Sequence, residues 1–144
     1  MAGYNKFNDF VDQLGQAKHT LGTHTYKIML VNSPAPTASN AVKADLTEIG
    51  AGNGYSAGGS SASLTWAEAS GTGTATGTMV VFTASGGTIG PFRYVVLYND
   101  TQTSPADPLV SWWDYGSGLT LQDGETFSVK FNNSATTGTI FTLA

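Results

Sequence analysis

From residue 26 to the end, apolar side chains return at every second position, which is the repeat of a β-strand and leaves no room for long helices. Tyr26, Ile28 and Leu30 share one parity, and Phe127, Val129 and Phe131 alternate with Ser128 and Lys130. Residues 89–98 are apolar on both parities, with Phe92, Tyr94, Val96 and Tyr98 on one face and Val95 and Leu97 on the other. A strand of that kind is covered on both sides. Further strands are expected at residues 44–49, 62–68, 77–84, 109–115 and 140–143, parted by turn-forming tracts such as Asn32-Ser33-Pro34-Ala35-Pro36 and Asp123-Gly124. About eight short strands predict an all-β, two-sheet β-sandwich, with a jelly roll as one allowed arrangement.

Only the amino terminus departs from this pattern. Phe7, Phe10, Val11 and Leu14 stand at i, i+3, i+4 and i+7, the stripe of one helix face, and Gly15 or Gly22 can end the helix. The chain therefore divides into a short N-terminal amphipathic helix or arm over residues 1–22 and a β-sandwich domain over 23–144. The stripe serves either to dock on the protein's own core or to pack on a neighbouring subunit. The glycine-rich stretch 50–59, with Tyr55 inside it, reads as a flexible loop, and the Gly/Thr/Ser tract 70–76 as a separator between strands. Trp112 and Trp113 are adjacent, so in a strand they point to opposite sides of the sheet.

A chain of 144 residues with 40% hydrophobic residues is large enough for one self-sufficient core. It has no cysteine, which excludes disulfides, thiolate metal sites and cysteine nucleophiles. Six basic residues are scattered along a chain of net charge -4, a pattern that argues against nucleic acid as a partner. No apolar run is long enough for a membrane span, and no signal core is expected, so the product is read as made in the cytoplasm.

Catalytic parts are sparse. His19 and His24 lie five residues apart, not at the i, i+4 spacing of a helical metal pair, and read as a solvated junction. No Gly-x-Ser-x-Gly elbow is present. Asp100, Asp107, Asp114 and Glu125 are the carboxylates to weigh for glycosidic chemistry; Asp114 shares a strand face with Trp112, an arrangement compatible with a sugar-stacking platform, but the turn-like settings of the other three favour structural roles. Asp45 and Glu48, beside the glycine-rich loop, fit no calcium pattern. No enzyme activity, no metal and no cofactor are expected.

Several longer stretches carry a resemblance. Residues 4–10 (Tyr-Asn-Lys-Phe-Asn-Asp-Phe), 43–49 leading into Gly52-Asn53-Gly54-Tyr55, 89–100, Trp112-Trp113-Asp114-Tyr115-Gly116-Ser117 and Gly124-Glu125-Thr126-Phe127 resemble small virion proteins of tailed bacteriophages. Among these, the capsid decoration or cement proteins on HK97-type shells are nearest in size and expected fold. The resemblance implies a structural protein on the capsid surface of the virion, made in the host cytoplasm, with the major capsid protein and itself, as dimer or trimer, for partners. The alternative is a receptor- or carbohydrate-binding module of a head or tail fibre. Phe7, Phe10, Val11, Leu14, Tyr55, Trp112 and Trp113 are the expected protein-interface residues.

Overall fold

The computed structural model describes residues 2–144 and is an all-β sandwich with one short helix. In chain order the elements are β1 (Asn5–Lys6), α1 (Asn8–Gly15), β2 (Tyr26–Val31), β3 (Ser60–Ser61), β4 (Thr65–Ala69), β5 (Thr72–Thr78), β6 (Val80–Thr83), β7 (Ile89–Asn99), β8 (Leu109–Leu121), β9 (Thr126–Val129) and β10 (Thr137–Leu143). Single 3₁₀ turns stand at Lys43–Asp45 and Phe131–Asn133. One sheet has the order β1-β8-β7-β2-β3; facing it are the three strands β10-β5-β4 and the pair β6-β9. All pairings between these strands are antiparallel. Sheets of five, three and two strands are not the eight-stranded jelly roll, so that finer expectation is not met.

The main core lies between the layers. Ile28, Leu30, Val95, Leu97 and Trp113 of the large sheet meet Ala75, Val80, Phe82, Val129 and Ile140 of the opposing strands and Phe131 of the 3₁₀ turn after β9. A second cluster covers the outer face of the large sheet, where Phe7, Met29, Val31, Val96, Tyr98 and Leu109 are buried with Leu46, Tyr94 and Trp112 against them. β7 is thus buried on both sides, as its sequence required.

One side chain on β7 changes face. Its pairing with β8 shifts on both sides of Phe92, which pairs with Leu119 while Tyr94 pairs with Asp114. The irregularity turns Phe92 into the inter-layer core with Val95, away from Tyr94 and Val96. Strict alternation could not anticipate this. Phe92, Val96, Leu97, Val129 and Phe131 are buried, whereas Tyr94 and Phe127 are only half-buried.

The tract read as a separator is itself a strand. Thr72-Gly73-Thr74-Ala75-Thr76-Gly77-Thr78 forms β5 with its Gly and Ala facing in. Small residues are required there. A Cβ on Gly77 would come within 2.9 Å of both Ile140 Cδ1 and Phe131 Cε2, and one on Gly73 would enter the Trp66 ring. Threonine supplies the β preference on the outward face. The expected strand over 77–84 accordingly breaks at Met79, where the chain leaves β10 for a new partner, β9.

α1 ends at Gly15, one of the two expected glycines, but the residue that turns the chain lies two positions further on. Ala17 takes the left-handed conformation at φ 60°, while Ala17 N–H donates to the Leu14 carbonyl at 3.1 Å and Lys18 N–H to that of Gln13 at 2.9 Å. This is the two-bond helix stop usually built on glycine. Phe10, Leu14 and Leu21 pack into the same core as the sandwich, so residues 2–22 share it rather than standing apart.

Two stability outcomes follow from this packing. Phe131→Ala should cost about 3–5 kcal/mol in urea unfolding, because the ring is fully enclosed, and Phe127→Ala only about 1–2 kcal/mol. Equal losses at both sites would contradict the burial described. Ala17→Gly should stabilise by about 1 kcal/mol, by relieving an alanine held at positive φ; an unchanged or lowered midpoint would show that the helix stop carries no strain.

Candidate interaction surface

Much of the chemistry-bearing chain proves to be committed to structure. Tyr55 is buried; its hydroxyl donates to Glu48 Oε1 at 2.7 Å and accepts from Leu30 N–H at 3.0 Å. Burial is the main cause that holds its hydroxyl protonated far above the usual range. Glu48 Oε1 also accepts Gly58 N–H at 2.7 Å, and the Tyr98 hydroxyl donates to the Gly58 carbonyl at 2.7 Å. The loop 50–59, expected to be flexible, is pinned by these bonds.

The carboxylates are similarly engaged. Asp45 Oδ2 accepts the N–H groups of Ala41 and Val42, Glu125 Oε2 accepts that of Gln122, and Asp100 pairs with Lys27 at 3.0 Å. Asp107, whose pKa burial raises, lines a polar hollow of about 290 Å³ with Lys43, Ala44, Leu46 and Glu48. Lys43 Nζ lies 3.5 Å from Glu48 Oε2. Among the described residues, no group of three or more His, Cys, Asp or Glu side chains could hold a metal ion.

The expected interface residues divide sharply. Phe7 is fully buried, its ring 4.5 Å from Trp112, and Phe10 lies in the main core beside His19 at 5.0 Å. Phe7, Phe10 and Tyr55 are therefore core residues in this chain, not contact residues. The physical reason is coverage: β7 and β2 present apolar side chains on both faces, and the arm supplies what hides them. Leu14 is half-buried against the core, while Val11 is exposed at 54%. The adjacent tryptophans do point apart. Trp113 enters the inter-layer core, and Trp112 stays half-buried on the outer face under Phe7. Its partner is the protein's own arm.

An open aromatic cleft of about 230 Å³ remains, lined by Ala2, Val95, Trp113, Tyr115, Phe127, Ser128, Val129, Lys130 and Asn133. A bulge builds its outer wall. Between the pairs Phe92↔Leu119 and Tyr94↔Asp114, residues 115–118 leave the ladder and stand exposed, with Gly116 at φ 102°. Asp114 anchors the departure. Its Oδ1 accepts Gly116 N–H at 2.8 Å and Arg93 Nε–H at 2.8 Å, and its Oδ2 accepts Arg93 Nη2–H at 3.0 Å. The guanidinium, ahead of the Gly116 N–H, lowers the Asp114 carboxyl pKa, so the fork persists into mild acid.

Thus fixed, the bulge places Tyr115, 52% exposed, edge-on to Phe127 at 5.6 Å; Phe127 in turn packs edge-on to Phe92 at 5.0 Å. Tyr4 stands edge-on to Trp113 at 5.8 Å and continues the aromatic surface. The backbone here is also incompletely paired. β8 meets β1 only at Ser111 and Trp112, and β9 pairs with β6 alone. Of the sequence-expected residues only Trp113 reaches this cleft. Tyr115, Lys130 and Asn133 were missed, although the glycines at 116 and 118, inside an otherwise strand-like run, are the signal of a bulge that re-aims a neighbour.

No family model matches the chain, and no curated protein or solved structure was found to match it.

Because Tyr115 adds little to the core, Tyr115→Ala should change unfolding free energy by less than about 1 kcal/mol. A loss above about 2 kcal/mol would make the ring a stability element and not a surface one.

Proposed function

We propose that the protein is a non-enzymatic virion structural protein of a tailed bacteriophage, a capsid decoration protein that binds the major capsid protein through the cleft between β8 and β9. The sequence resemblance supplies the virion setting. The observation that carries the binding mode is the cleft itself: half-exposed Tyr115 and Phe127 beside two strand edges that lack full partners. Aromatic anchors in a pocket dominate the energetics of protein interfaces, and an unpaired edge accepts an added strand. Decoration of a shell needs no more than this. Many copies, each making a modest apolar contact, raise the barrier to opening the shell without any covalent step. Association of the protein with itself, as dimer or trimer on a capsid symmetry axis, belongs to the same proposal.

A carbohydrate- or receptor-binding role on a fibre is the second reading. It is favoured by the position of Ser128, Lys130 and Asn133 beside the aromatic wall, where polar groups and a ring together suit a sugar.

Incubation of the purified protein with expanded, undecorated capsids tests both. Binding should saturate on the lattice and change little with salt, since the contact is mainly apolar. The double variant Tyr115→Ala/Phe127→Ala should bind about thirtyfold more weakly, equivalent to about 2 kcal/mol at an aromatic anchor. Undiminished occupancy by the variant would remove the cleft from the interface. Binding to glycans in titration, with no uptake by capsids, would replace the first reading by the second.

A further inference from the structure

The junction between α1 and β2 is tied to the end of β7 by a buried polar cluster that lies outside the cleft. Asn99 is fully buried at its centre. Its Oδ1 accepts the backbone N–H groups of Thr101 at 3.0 Å and Gln102 at 3.2 Å. Those two donors fix the orientation of the amide and leave Nδ2 as the donor on the other side. Nδ2 lies 2.9 Å from His24 Nδ1 and 3.3 Å from His19 Nδ1, with the Tyr26 hydroxyl and the Lys18 carbonyl each at 3.4 Å.

An amide nitrogen carries two hydrogens, and its two nearest acceptors are imidazole nitrogens. Both rings therefore serve the cluster in their neutral form, accepting at Nδ1. Thr20 N–H also points to His24 Nδ1 at 3.4 Å, and the Tyr26 hydroxyl lies 3.3 Å from His19 Nδ1. A proton on either Nδ1 would set donor against donor. His19 has nowhere to place a charge: it is 5% exposed, its Nε2 has no hydrogen-bond partner, and the Phe10 ring stands 5.0 Å away. Asp100, next in the chain after Asn99, is paired with Lys27 at 3.0 Å. Among the described residues no carboxylate hydrogen-bonds to either imidazole.

We propose that this cluster is an acid-released clasp: protonation of the buried His19 imidazole frees residues 8–25 from the sandwich while the sheets remain paired. Burial, and secondarily the charge of His24, pushes the His19 pKa from 6.5 down to about 4. The closed form thus binds fewer protons than the open one. Its stability is complete above pH 6.5 and falls progressively as the pH drops toward about 4. For each proton taken up on opening, the opening constant rises on the order of tenfold per pH unit in that window. Release withdraws Phe10, Leu14 and Leu21 from the inter-layer core.

Amide hydrogen exchange, corrected for the intrinsic effect of pH and read segment by segment on the full chain, tests the clasp. Between pH 6.5 and 4.5, protection in residues 8–25 should fall on the order of a hundredfold while β2, β7 and β8 keep theirs. The double variant His19→Gln/His24→Gln, which retains acceptors that do not titrate in this range, should show no such fall. Equal protection of the wild-type arm at both values, or simultaneous loss across arm and sheets, would overturn the proposal. Should the variant fail to fold, the imidazole resonances of the wild type decide: His19 titrating at or above 6.5 in the folded protein refutes the clasp, and a midpoint well below supports it.

Discussion

The structure depends most on burying β7 from both sides. An antiparallel strand commonly leaves one face to water, but Val95 and Leu97 enter the inter-layer core while Val96 and Tyr98 enter the outer cluster, all nearly inaccessible. Covering the inner face takes the opposing strands. Covering the outer face takes chain that has no regular structure of its own: Phe7 from the arm and Leu46 from the long connection after β2. That connection is fastened accordingly, through Leu109 N–H to the Ala41 carbonyl and Lys43 N–H to that of Asp107, both at 2.9 Å. The arm is fastened by Asn8 N–H to the Ala38 carbonyl at 2.9 Å. Its aromatic side chains Phe7 and Phe10 are therefore consumed within their own chain.

The fold class was legible because period-two patterning survives wherever a strand has one partner layer. β2, β7, β8 and β9 could each be placed within a few residues from their aromatic and β-branched side chains. β5 was illegible to hydrophobicity, since its inward residues are Gly73, Ala75 and Gly77, chosen for smallness beneath Trp66, Ile140 and Phe131. Its alternation with threonine was present in the sequence all the same. The bulge in β8 is signalled by Gly116 and Gly118, but the register shifts it causes against β7 were not readable. They depend on how two long strands with unequal residue counts accommodate each other, and only the pairing of Arg93 with Asp114 shows where the excess is expelled.

The aromatic residues divide for a related reason. In a chain of this size large rings are the most effective way to fill a core, so a conspicuous aromatic in a loop or arm is more often an anchor for its own chain than for a partner. Phe7, Phe10 and Tyr55 follow that rule. Tyr115 escapes it because the bulge lifts it out of the ladder, where neither layer can close over it. Exposure of a large ring here is a property of backbone irregularity, and residue type alone does not encode it.

The arm is held by two unlike fastenings, and their relative sizes decide what each can do. Phe7 and Phe10 bury two rings, a gain of about 3–6 kcal/mol. Each hydrogen bond of the Asn99 cluster adds only about 1 kcal/mol. The apolar contacts are also indifferent to small shifts, since dispersion and solvent release have little direction. The amide of Asn99, with its oxygen set by two backbone donors and its nitrogen facing two ring acceptors, accepts only one placement of residues 18–25. Burial of the rings thus supplies most of the affinity of the arm for the sandwich, and the polar cluster supplies its position.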